Sequence, residues 1–121
     1  MAIKTSTEKT LTILSGQSAT EGFNIGDLQD SGRGSIFGVW MPTTWTAANI
    51  SLEYSRDDGV TWVPVTKDGA QITYPAAASE YVEFEARDNL TARYVRLVSG
   101  TSLVPVAQSG DRELNVEYGR I

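Results

Sequence analysis

The stretch Ile50-Ser51-Leu52-Glu53-Tyr54-Ser55-Arg56-Asp57-Asp58-Gly59-Val60-Thr61-Trp62-Val63-Pro64-Val65 reads as two strands joined by a turn. Ile50, Leu52 and Tyr54 alternate with Ser51, Glu53 and Ser55, the period-two pattern of a strand with one face in a core and the other in solvent. Asp57-Asp58-Gly59 then reverses the chain, because Asp-Gly supplies the positive φ that tight hairpin turns require. Thr61 to Val65 is the returning strand, and a second Asp-Gly, Asp68-Gly69, leads into Gln71 to Tyr74.

The same pattern continues on both sides. Towards the N-terminus lie a strand from Lys9 to Leu14, with Leu11 and Ile13 on one face, and a polar stretch from Ser15 to Gly22. Gly22-Phe23-Asn24-Ile25 is a short strand, and the acidic, glycine-rich Gly26 to Gly34 reads as an exposed loop. Ser35 to Met41, ended by Pro42, carries aromatic or branched residues on both faces. That implies burial on both sides, or burial on one and a loop over the other. Trp40 is assigned to the core and Trp62 to packing across the sandwich. Towards the C-terminus, Tyr81 to Glu85 alternates, Ala92 to Val98 is a longer strand and Arg112 to Tyr118 closes the chain. After Pro75, Ala76 to Glu80 reads as a loop. Helical periodicity never exceeds about a turn. The expected fold is all-β, a single antiparallel β-sandwich of eight or nine strands over residues 10–121, behind a polar arm over residues 1–9.

At 121 residues the chain is long enough for one core and too short for two. With 40% apolar and 21% charged residues it has the composition of a globular domain. No apolar run approaches the roughly 20 residues of a membrane-spanning helix, so no membrane partner is expected. Cysteine and histidine are both absent. Their absence excludes disulfides, thiolate chemistry, structural zinc of the Cys/His type, Ser-His-Asp triads and Cys-His pairs. A net charge of −5 with scattered basic residues argues against nucleic acid. Behind Lys4 no apolar stretch follows of the kind a secretory signal needs, so synthesis in a cytoplasm without signal-directed export is expected. The sequons at Asn49 and Asn89 then read as plain strand and turn positions.

Paired carboxylates are the remaining catalytic kit. Glu83 and Glu85 share one strand face, but it reads as a solvated outer face, and no catalytic residue is assigned. Asp57, Asp58, Asn24, Asp27 and Asp30 offer hard oxygens in a spacing that matches no calcium loop. Asp57-Asp58-Gly59 is explained as turn chemistry, while the Asn24 to Asp30 loop stays open to a structural ion. Gly32-Arg33-Gly34 lacks the strand-turn-helix setting of a phosphate loop, so no cofactor is expected. Arg93 and Arg96 fall on opposite faces of one strand, where one can snorkel or pair with an acidic neighbour at the sandwich edge. Trp45, in the polar Pro42-Thr43-Thr44-Trp45-Thr46, is either an interface or ligand contact or a lid on the end of the core.

Tyr54 to Trp62 resembles the S-x-D-G-x-x-W hairpin of discoidin-like (coagulation factor C-domain) sandwiches. Arg93-Tyr94-Val95-Arg96-Leu97 resembles their R-Y-(I/V)-R strand, and Leu114 to Gly119 their closing strand. The extracellular members' cysteine pair is missing. A group of small tailed-phage virion proteins is more similar still. It carries P-x-x-W-T-x-A, here Pro42 to Ala48, and S-G-T-S-x-x-P-V-x-Q-x-x-D-R, here Ser99 to Arg112. The resemblance runs from about Gly22 to the end of the chain.

This resemblance implies a jelly-roll-like sandwich acting as a capsid decoration or cement protein in the virion, assembled in the bacterial cytoplasm. Its partner would be the major capsid protein, whose neighbouring subunits it would bridge, and a closed homo-oligomer is expected. The alternative is a carbohydrate- or receptor-binding module of a fibre or tail, with a glycan ligand at Trp45. Residues 1–9 are a docking arm or a frayed end. Gln108, Asp111 and Arg112 face a partner or hold an internal bond at one end of the sandwich.

Overall fold

The computed structural model describes residues 7–25, 34–89 and 94–120. Eleven strands occur among them: β1 (Thr7–Ile13), β2 (Phe23–Asn24), β3 (Gly34–Trp40), β4 (Ile50–Ser55), β5 (Val63–Pro64), β6 (Thr66–Lys67), β7 (Ala70–Gln71), β8 (Thr73–Tyr74), β9 (Tyr81–Glu83), β10 (Tyr94–Ser99) and β11 (Arg112–Arg120). The excess over eight or nine comes from the Val63–Tyr74 region, where four two-residue strands take the place of two longer ones. The first strand begins before the expected Lys9: Thr7, Glu8 and Lys9 already pair with Tyr118, Glu117 and Val116.

The strands form two antiparallel sheets, β1-β11-β3-β9 and β2-β10-β4-β5 with β8 beside β4, plus the small hairpin β6-β7. The chain crosses between the sheets repeatedly, from β1 to β2 to β3 to β4 and later from β9 to β10 to β11, which is the winding of a jelly roll. One continuous core draws on both sheets. Leu11, Ile13, Val39, Val82, Leu114 and Val116 come from the first, and Ile50, Leu52, Val95 and Leu97 from the second. Each fully buried branched side chain contributes about 1.5–3 kcal/mol relative to exposure.

Local features shape the outer faces of both sheets. Gly38 pairs with Glu117 but Ile36 with Tyr118, so Phe37 is an extra residue in β3, a β-bulge. The bulge lets Ile36 and Val39, three apart, both reach the core, and it leaves Trp40 on the outer face, 48% exposed. This accounts for the two-sided apolar pattern and corrects the core assignment of Trp40. Trp62 does not cross the sandwich either. It lies on the outer face of the second sheet, with the Arg96 guanidinium 4.5 Å from its ring centroid. A Cβ on Gly22 would fall 2.5 Å from its ring, so only glycine fits there.

The two Asp-Gly turns differ. Asp68-Gly69 is a two-residue hairpin turn, with Lys67 paired to Ala70 and positive φ at both turn residues. Asp57-Asp58-Gly59 sits in a wider connection, since the last β4–β5 pair is Tyr54 with Val63. There the Asp57 carboxylate organises the backbone, accepting from the Thr61 N–H at 2.8 Å and the Ser55 hydroxyl at 2.7 Å. These bonds hold its pKa down to about 2.

Candidate functional site

One end of the sandwich gathers all four residues singled out from the sequence. Gln108 is 1% exposed, and its amide is fully engaged. Its Oε1 accepts from the Thr46 N–H at 2.8 Å and from Arg112 Nε at 3.0 Å. Its Nε2 donates to the Thr46 carbonyl at 3.0 Å and to Ser99 Oγ at 2.8 Å. Arg112, also buried, turns its Nη2 to Thr46 Oγ1 and Ser109 Oγ. Gln108 and Arg112 therefore form an internal brace that ties the Thr46 loop to β10 and β11. Asp111 is exposed, and its carboxylate accepts from the Ser15 N–H at 2.8 Å. Trp45 is half-buried against the core, with its indole N–H donating to the Ala48 carbonyl at 3.1 Å. That is the lid arrangement.

The brace supports a neighbouring feature that the sequence reading missed. Between Ser99 and Val106 the chain makes a narrow projecting turn, closed by the Val106 N–H to the Ser99 carbonyl (2.8 Å) and the Thr101 N–H to the Val104 carbonyl (3.1 Å). Gly100 makes the turn possible, because its φ is +88° and a Cβ would lie 2.5 Å from the Val104 oxygen. At the tip Leu103 is 93% and Val104 69% exposed.

The tip is anchored through Ser102. Its N–H donates to Gln71 Oε1 (2.9 Å), and its hydroxyl donates to Glu53 Oε2 (2.6 Å). The other Glu53 oxygen takes Arg96 Nε and Nη2, at 2.7 and 2.6 Å. Glu53 points outward from β4 and is nevertheless buried, because the tip and Arg96 cover it. Ser51 is covered likewise, donating to the Gly100 carbonyl at 2.7 Å. The clean alternation of β4 thus faces a core on one side and a satisfied polar network on the other. The Arg96–Glu53 pair is the acidic partner expected for one of the two arginines; Arg93 lies outside the described residues.

No family model, no curated protein and no solved structure matches the chain.

Among the described residues no group of three acidic side chains is placed to hold a metal ion. Asp27 and Asp30 of the loop left open to an ion lie outside them. Glu83 and Glu85 are exposed beside the buried Val82 and Phe84, as an outer face requires. On that same sheet face, Trp40 and Tyr81 form an exposed aromatic pair, with ring centroids 4.5 Å apart. Burial, and then the charges of Glu117 and Glu83, raise the Tyr81 phenol pKa.

Proposed function

We propose that this chain is a non-enzymatic structural protein of a phage virion, a capsid decoration or cement protein that binds the outer shell and bridges major capsid protein subunits. The observation that carries the reading is the Leu103–Val104 tip. It belongs to the Ser99–Arg112 segment on which the virion-protein resemblance rests. Two adjacent apolar side chains held outward by an ordered turn have the form of a docking anchor, since little conformational entropy is lost when they bind. Gln108 and Arg112 serve this reading indirectly, by holding the base of the segment.

A symmetric shell offers many equivalent seats, so a modest contact per copy is multiplied, most strongly for a homo-oligomeric cement. The test is co-sedimentation with assembled shells and, separately, with free capsid subunits. Wild type is expected to sediment with shells at micromolar concentration, and Leu103→Asp with Val104→Asp is expected to remain in the supernatant while keeping its Tm. Failure of the wild type to co-sediment, or unimpaired binding by the double variant, would overturn the reading.

A further inference from the structure

The outer face of the first sheet carries a row of side chains that neither the core nor the tip uses. The strand registers align Tyr81 with Trp40, Trp40 with Asn115 and Asn115 with Thr10, one residue from each of the four strands. At the usual spacing of neighbouring strands the row is about 14 Å long. Beside it, Glu83 and Glu117 both pair with Gly38, so two carboxylates flank a position without a side chain, and Glu8, paired with Glu117, extends that second row. A Cβ there would collide with the Tyr81 hydroxyl, which lies over the glycine.

The row is ordered by its own bonds. Trp40 Nε1–H donates to Glu117 Oε2 at 2.8 Å, which fixes the indole while its surface stays half in solvent. Thr10 Oγ1 donates to Asn115 Oδ1 at 2.7 Å, which turns the amide so that its NH2 remains as an outward donor. Two aromatic surfaces therefore adjoin one amide donor and three carboxylates, those of Glu83, Glu117 and Glu8.

We infer that this row binds a neutral sugar ring. A pyranose has an apolar C–H surface to lay on an indole and hydroxyls that both donate and accept, so the Asn115 amide and the Glu117 and Glu83 carboxylates all find partners. An organic cation would satisfy the carboxylates and leave the amide opposed. An apolar partner would bury the carboxylates without compensating hydrogen bonds or charge. The site is on a different surface from the Leu103–Val104 tip and does not depend on the capsid reading. It also moves the ligand-contacting tryptophan from Trp45 to Trp40.

The experiment is an NMR titration of the 15N-labelled full chain, following its three indole N–H signals. The probes are methyl glycosides of glucose, galactose, mannose and N-acetylglucosamine at roughly 50 mM, enough to fill a site of millimolar Kd. At least one glycoside is expected to shift saturably the signal that disappears in Trp40→Phe, while the Trp45 and Trp62 signals stay still. Asn115→Ala and Glu117→Gln are expected to weaken binding at least about fivefold, about 1 kcal/mol by the tenfold-per-1.4 kcal/mol rule. Trp45→Phe is expected to leave binding unchanged. Absence of a saturable shift with every glycoside, a response at Trp45 or Trp62, or a response to N-acetyl-arginine amide in place of the sugars would overturn the inference.

Discussion

Replacing Gln108 by alanine is expected to destabilise the fold more than any other single polar truncation near the tip. The substitution removes four hydrogen bonds and leaves the Thr46 N–H and carbonyl, Arg112 Nε and Ser99 Oγ without that partner. A buried group left unpaired costs about 1–3 kcal/mol. Ser99 is fully buried, but the Thr46 groups and Arg112 are close enough to the surface to regain water in part. The expected loss is therefore about 3–5 kcal/mol, a large fraction of the 5–15 kcal/mol typical of a domain. For a chain of this length that lowers Tm by about 10–20 °C. Gln108→Glu keeps both Oε1 contacts and exchanges the amide donor for an acceptor facing the Thr46 carbonyl, so an intermediate loss is expected. Urea denaturation and calorimetry of the two variants and of Arg112→Met measure this. A double-mutant cycle of Gln108→Ala with Arg112→Met should give a coupling of at least about 0.5 kcal/mol, since the two side chains touch. A loss below about 1 kcal/mol in Gln108→Ala, or strict additivity, would show that the brace does not hold this end together.

Three further outcomes are expected. Gly100→Ala, at φ +88° with backbone atoms 2.5 and 2.9 Å from the new Cβ, should cost about 2–4 kcal/mol, whereas Gly69→Ala, at φ +84° in open space, should cost only about 1 kcal/mol; equal costs by urea denaturation would contradict this. Glu53→Gln should lower stability by about 1–3 kcal/mol and change the NMR signals of Ser102 and Leu103, because one carboxylate holds both Arg96 and the tip; unchanged tip signals would separate the two. Asp57 has a folded pKa below its unfolded value, so its contribution is fully present above about pH 4 and fades as pH falls through about 2; the gap in urea midpoint between wild type and Asp57→Asn should therefore close from pH 5 to pH 2, and a constant gap would count against the turn bonds.

The fold was legible wherever a strand keeps strict alternation. Ile50 to Tyr54 and Arg112 to Val116 place their apolar residues in the core as the period requires. Alternation fails at Phe37, because one extra residue shifts the phase of β3. Trp40 reads as core for that reason, and the full burial of both Ile36 and Val39, three apart, is what reveals the bulge between them. The reading of Gln108 as partner-facing or internal could not be resolved from composition, since a buried amide looks like a surface amide until its partners are known. That Trp45 lies at the same end as Gln108 and Arg112 follows from the bonds of Thr46 to those two side chains, a long-range contact that no local pattern encodes. The Leu103–Val104 tip was not singled out, because an apolar pair followed by proline reads equally as a covered loop. The outer row of the first sheet depends on three registers among four strands distant in sequence, and no local pattern encodes them.

The most direct test of the proposed virion role is the copy number of this chain in purified phage particles, by quantitative mass spectrometry against the major capsid protein. A decoration or cement role predicts a count equal to the capsid subunits or a fixed simple fraction of them. A handful of copies per particle, or none, would contradict it.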